Sequence, residues 1–134
     1  MKKTVVVLMA AALCVSALAT LTNAHPGAKA DPKSAAKSYT GEVVDTGCYL
    51  AHGARGAKHV ECATKCISEG MPMGLLTEDG TLYLITLNHD NPDAYNQLKK
   101  MAAKTVSVTG TLSERNGIKG IDVTAVKLAA AAAK

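Results

Sequence analysis

The chain has 134 residues, enough for one domain and too few for two ordinary ones, with a formal charge of +4. Charged residues make up 19 % of it, which excludes a disordered polyelectrolyte or a long charged coiled coil. The weak basicity, the absence of Trp and Phe, and only Tyr39, Tyr49, Tyr83 and Tyr95 as aromatic rings argue against nucleic acid as a partner. Such proteins need a dense positive field or a stacking platform.

Lys2 and Lys3 precede an uncharged, mostly apolar run from Val5 to Ala19. That run is shorter than the roughly 20 residues that span a bilayer, and small residues follow it. Residues 1–24 therefore read as a cleavable secretory signal, cut after Ala24 or, as the competing site, after Ala19. Cys14 invites a lipoprotein reading, but Leu13 stands where lipoprotein processing wants a small residue. An uncleaved N-terminal anchor is the other alternative. Cleavage implies an exported, periplasmic domain with no stable membrane span. It would carry an odd set of cysteines, Cys48, Cys62 and Cys66, which cannot all pair internally.

Residues 25–38, rich in Ala, Lys, Pro and Gly, read as a flexible lead-in. Tyr39–Thr46 is β-prone and reads as the first strand. Gly47–Lys58, with three glycines, reads as a loop, in which Gly53–Lys58 is a hinge with two exposed charges, Arg55 and Lys58. His59–Glu69 has helical spacing and stop signals at Gly70 and Pro72. Met73–Thr77 and Thr81–Leu87 read as strands joined by a tight turn at Glu78-Asp79-Gly80. Asn91 as N-cap, Pro92 at the first helical position and Asp93 open a second helix, expected over Asp93–Ala103. Thr105–Leu112 alternates as a strand, Asn116-Gly117 marks a turn, and Ile118–Leu128 follows as a strand. Residues 129–134 form a tail.

This order predicts a mainly β domain over residues 39–128. It has two helices and a five-stranded OB-like barrel, with a helical cysteine-bearing insert after strand one. An open α+β sandwich or a different small barrel are the alternatives.

Three phrases carry a resemblance: Gly41-Glu42-Val43-Val44-Asp45-Thr46-Gly47-Cys48, then His59-Val60-Glu61-Cys62-Ala63-Thr64-Lys65-Cys66, then Val106-Ser107-Val108-Thr109-Gly110. Over roughly Tyr39 to Val126 the chain resembles a group of small exported bacterial proteins with an OB-like domain and a Cys…HxxCxxxC cluster. The group is largely uncharacterised, so the resemblance implies the fold and the cluster and carries no activity.

The chemistry-bearing residues sit together. On a helix, His59, Cys62 and Cys66 at i, i+3 and i+7 fall within a sector of about 60°. The glycine-rich loop can fold back to bring Cys48 to the same centre, with His52 as a further candidate. One imidazole and three thiolates suit zinc and are acceptable to copper(I). Weaker candidates are the thioethers of Met71 and Met73, otherwise core residues, and His25, which would be the mature N-terminus. The competing readings are cysteines as small core residues, a Cys48 disulfide to Cys62 or Cys66, and thiol redox chemistry. A Cys62–Cys66 bridge is less attractive on disulfide geometry. His89-Asp90 reads as solvated. No Ser-His-Asp set, carboxylate pair or organic-cofactor fingerprint is identifiable, so an enzyme is the least favoured class.

Two functions of different class follow. One is a periplasmic metal-binding module for copper or zinc, a carrier, sensor or accessory protein meeting a periplasmic protein partner. The other is a disulfide-stapled OB-like interaction domain that binds a protein or glycan without metal.

Overall fold

The computed structural model describes residues 35–130. The expectations for the signal segment, its cleavage points, Cys14, His25 and the last four residues of the tail lie outside the described residues. In chain order the elements are β1 (Lys37–Asp45), α1 (Thr46–His52), a 3-10 turn (Ala57–His59), α2 (Val60–Ser68), β2 (Met73–Thr77), β3 (Leu82–Leu87), α3 (Asp93–Leu98), β4 (Thr105–Arg115) and β5 (Ile118–Leu128). No described helix is long and apolar enough to cross a membrane.

The five strands form one sheet whose order, β1-β2-β3-β5-β4, returns to β1. Closure depends on β1 serving two neighbours. Its first half pairs antiparallel with β4, from Lys37 opposite Gly110 to Glu42 opposite Thr105. Its second half pairs antiparallel with β2, from Gly41 opposite Thr77 to Asp45 opposite Met73. Gly41 stands where the two ladders meet, and a Cβ there would fall 2.5 Å from the Leu76 carbonyl oxygen. A second close approach accompanies the bulge between Thr109 and Gly110, which bends β4 against β5. The β3–β5 pair is parallel and the β4–β5 pair is an antiparallel hairpin. Asn116 and Gly117 both have positive φ at its tip, as the favoured two-residue hairpin turn demands.

The interior follows from period-two alternation. Val106 and Val108 of β4, Ile121 and Val123 of β5, Leu75 of β2 and Ile85 of β3 point inward and are buried. Ala63 and Ile67 of α2, and Ala94 and Leu98 of α3 with Ala102 beyond it, cover this core. Burying one such Leu or Ile side chain is worth about 1.5–3 kcal/mol.

Several expected boundaries are corrected. Lys37 and Ser38 belong to β1 rather than to a flexible lead-in, and β1 ends at Asp45. The expected loop over Gly47–Lys58 contains α1 and the 3-10 turn, giving three α-helices among the described residues instead of two. Asp45 starts α1 as its N-cap, its Oδ1 accepting from the Cys48 N–H at 2.8 Å. The Gly56 N–H donates to the Glu42 carboxylate, which ties the expected hinge to β1. The helix expected over Asp93–Ala103 stops at Leu98. Its continuation is prevented because the Ala103 N–H donates to the Val43 carbonyl at 2.7 Å and the Val43 N–H to the Lys104 carbonyl at 3.0 Å. Pro92, not Asn91, occupies the cap position, while Asn91 Oδ1 still accepts from the Asp93 N–H at 3.3 Å. β4 runs three residues past its expected end at Leu112, to Arg115.

Candidate metal centre

The end of β1 fixes the first half of the site. Val43, Val44 and Asp45 are all buried, and Asp45 is the one buried charged residue among those described. The carboxylate survives there because both oxygens are used. One caps α1, and the other, Oδ2, lies 2.9 Å from His59 Nε2. A buried carboxylate without such partners would be costly.

The second half is α2. Ala63 and Ile67 face the core. Cys62 and Cys66, each one residue earlier, therefore lie on the flank of the helix. Cys62 is exposed and Cys66 half-buried, and Cys48 in the first turn of α1 is half-buried. All three are free thiols, and their Sγ atoms lie within 4.8 Å of one another. A second group, Asp45, Cys48 and His59, meets the same criterion. Cys48 is common to both.

Of the expected ligands, the structure thus joins Cys48, Cys62 and Cys66 in one set and places His59 beside it, against Asp45. The helical sector expected for His59 presumes that it lies within the helix. It is instead the N-cap of α2, at φ −108° and ψ 1°, and it groups with Asp45 and Cys48 rather than with Cys62 and Cys66. His52 is exposed at the end of α1 and belongs to neither group. Met73 is buried in the core, 1 % exposed, and is no ligand. Met71 is 37 % exposed, and its thioether lies over Gly47. His89 is exposed, as expected.

Asp45 is the residue of this cluster that sequence reasoning passed over. Its signal was present: an acid directly after two valines and three residues before a cysteine.

The chain matches no protein-family model, no curated protein and no solved structure. The chemistry of the site must be read from its own groups.

Burial alone would raise the Asp45 carboxyl. The Cys48 N–H, His59 and the Cys48 thiol outweigh it and hold Asp45 below its ordinary value. The same contact acts in reverse on the thiol. Cys48 is pushed up to about 12, first by its hydrogen bond to Asp45, then by burial and by the carboxylate's charge. Cys66 is raised first by burial and then by Cys62. Reactive and redox-catalytic cysteines need the opposite, a thiol acidified by positive surroundings. Cys48 and Cys66 are instead held toward the protonated, less nucleophilic form. A groove of about 1270 Å³ along β3, β4 and β5 includes none of the cysteines. The thiol cluster is a rim site, with Cys62 open to solvent.

Proposed function

We propose that this chain is an exported metal-binding module, an OB-like domain whose Cys48, Cys62 and Cys66 take a soft or borderline ion, copper(I) or zinc. The observation that carries this reading is the convergence of three free thiol sulfurs, from two helices, to within 4.8 Å. Copper(I) favours soft sulfur donors, which the three cysteines supply as they stand. Zinc wants four ligands, and His59 offers a ring nitrogen within 4.8 Å of the Cys48 sulfur, with Asp45 already orienting its ring as a carboxylate–histidine pair. The OB-like assignment draws on the parallel β3–β5 pairing and on α3 lying between β3 and β4. The resemblance to small exported bacterial proteins supports export, and the exposure of Cys62 suits a carrier or accessory role toward a periplasmic protein partner.

The test is elemental analysis of the exported protein, freed of the signal segment and its Cys14, beside thiol quantification under denaturing conditions. Three titratable thiols and one equivalent of copper or zinc are expected. One titratable thiol and no metal would replace this reading with the disulfide-stapled interaction domain.

A further inference from the structure

We propose that Met71 is a fourth ligand of the centre, its thioether joining the three thiols and selecting copper(I) over zinc. The proposal rests on the metal-binding reading above and names the ion for that site.

Two independent backbone features hold Met71 between the two helices that carry the thiols. The first is the end of α2. The Gly70 N–H donates to the Ile67 carbonyl at 3.1 Å and the Met71 N–H to the Cys66 carbonyl at 2.9 Å, with Gly70 at φ +104°. These two bonds and the left-handed glycine make a Schellman turn. In that motif the residue after the glycine frequently packs against the third or fourth residue from the helix end, the third here being a cysteine. Met71 follows the glycine, and Cys66 is that third residue. The second feature is the junction with α1. The Pro72 carbonyl accepts from both the Thr46 N–H and the Thr46 hydroxyl, each at 3.0 Å. The chain at Met71–Pro72 is thereby bolted to the residue two before Cys48.

Between these anchors the Met71 side chain lies across Gly47. A Cβ at Gly47 would fall 2.8 Å from Met71 Sδ and 2.7 Å from Met71 Cε. The thioether thus occupies the space that any larger residue before Cys48 would claim. Met73, two residues on, is buried in the core, so the two methionines of Met71-Pro72-Met73 are sorted, one inward and one onto α1. A thioether is a neutral, soft donor. It adds to copper(I) binding and adds little to zinc, which is held by thiolate, imidazole and carboxylate.

The test titrates the reduced protein with copper(I) and, separately, with zinc, each against a competing chromophoric chelator. Wild type is compared with Met71→Leu, Gly47→Ala and Met73→Leu. Met71→Leu keeps the apolar contact of the turn and removes the sulfur; it should lower copper(I) affinity about tenfold or more and leave zinc affinity within about twofold. Gly47→Ala keeps Met71 but displaces its sulfur, and should reproduce that selective loss. Met73→Leu should change neither metal. In selenomethionine-labelled protein, selenium-edge absorption should show a copper neighbour that Met71→Leu abolishes. Unchanged copper(I) affinity in Met71→Leu, an equal loss for both metals, or zinc binding without copper(I) binding would overturn the assignment of Met71 and leave the metal module standing. Failure of wild type to bind either ion would overturn both.

Discussion

Asp45 and His59 meet at the mouth of the cysteine cluster, with His59 Nε2 2.9 Å from Asp45 Oδ2 and the carboxylate wholly buried. The pair fastens the start of α2 to the end of β1, and through the N-cap it also fastens α1. One side chain therefore sets the relative positions of the two helices that carry the thiols. Asp45→Ala removes the cap and the partner of His59 together and should cost about 1–3 kcal/mol in urea unfolding of the metal-free protein. Asp45→Asn keeps an acceptor for the Cys48 N–H and should cost less. Its larger effect is on acidity: without the negative charge, Cys48 should be alkylated at lower pH than in wild type. An unchanged pH profile of alkylation would show that the carboxylate does not control the thiol.

The same contacts set the pH dependence of the reduced, metal-free protein, with opposite signs on the two sides. Asp45 is held below its ordinary value of 3.8, so on acidification the unfolded chain binds its proton first. Its contribution to stability is present above 3.8 and is lost as pH falls through the lower folded value. Cys48 is raised from 9.0 to about 12, so the folded state keeps a proton that the unfolded chain releases. That contribution is full below 9.0 and is lost as pH rises toward 12. Cys48→Ser should flatten the alkaline limb of a stability–pH curve and Asp45→Asn the acid limb. Since Asp45 also raises Cys48, Asp45→Asn should shift the alkaline limb as well, which a double variant would resolve.

The core makes a prediction independent of the site. Leu98 is wholly buried where α3 covers the sheet. Leu98→Ala should destabilise by about 2–5 kcal/mol, with the upper part of that range expected if the neighbours do not collapse into the cavity. Metal affinity of the folded fraction should be unaffected, because Leu98 belongs to neither ligand group. This variant separates loss of fold from loss of site in every titration above.

What the sequence disclosed depended on whether a local pattern or a distant partner decides the structure. β2 and β3 are short β-prone runs about a turn signal and β4 alternates cleanly before Asn116-Gly117 and β5, so their existence was legible. Cys62 and Cys66 share a flank because a helix of this pitch puts them there. α1 was hidden because it is seven residues long, buries no residue and so has no apolar period, contains Gly47 and ends at Gly53. α3 read too long because Lys99–Ala103 are good helix formers whose backbone is claimed by Val43, a residue far away in sequence. His59 read as a helical ligand because spacing alone does not reveal that a residue is a cap. The pairing of Asp45 with His59 joins a strand to a helix across the loop between them, and no local period encodes it.

The decisive experiment on function is the behaviour of the three thiols as a set. If Cys48, Cys62 and Cys66 share one ion, Cys48→Ser, Cys62→Ser and Cys66→Ser should each weaken binding sharply, since each removes a charged soft donor while barely changing shape. His59→Ala should weaken copper(I) binding less than any of them and zinc binding more, because only zinc needs its nitrogen. Affinity should fall as pH drops, steeply, because protons compete for thiols that the structure already holds above their ordinary values at Cys48 and Cys66. The bound ion should raise stability by about 2.7 kcal/mol when free metal stands at 100 times Kd, and a strong chelator should remove that increment reversibly. A disulfide would give a different pattern. Two of the three serine variants would each release one titratable thiol, the third would change little, and the chelator would have no effect on Tm. Equal binding by wild type and all four variants would place the ion elsewhere on the chain.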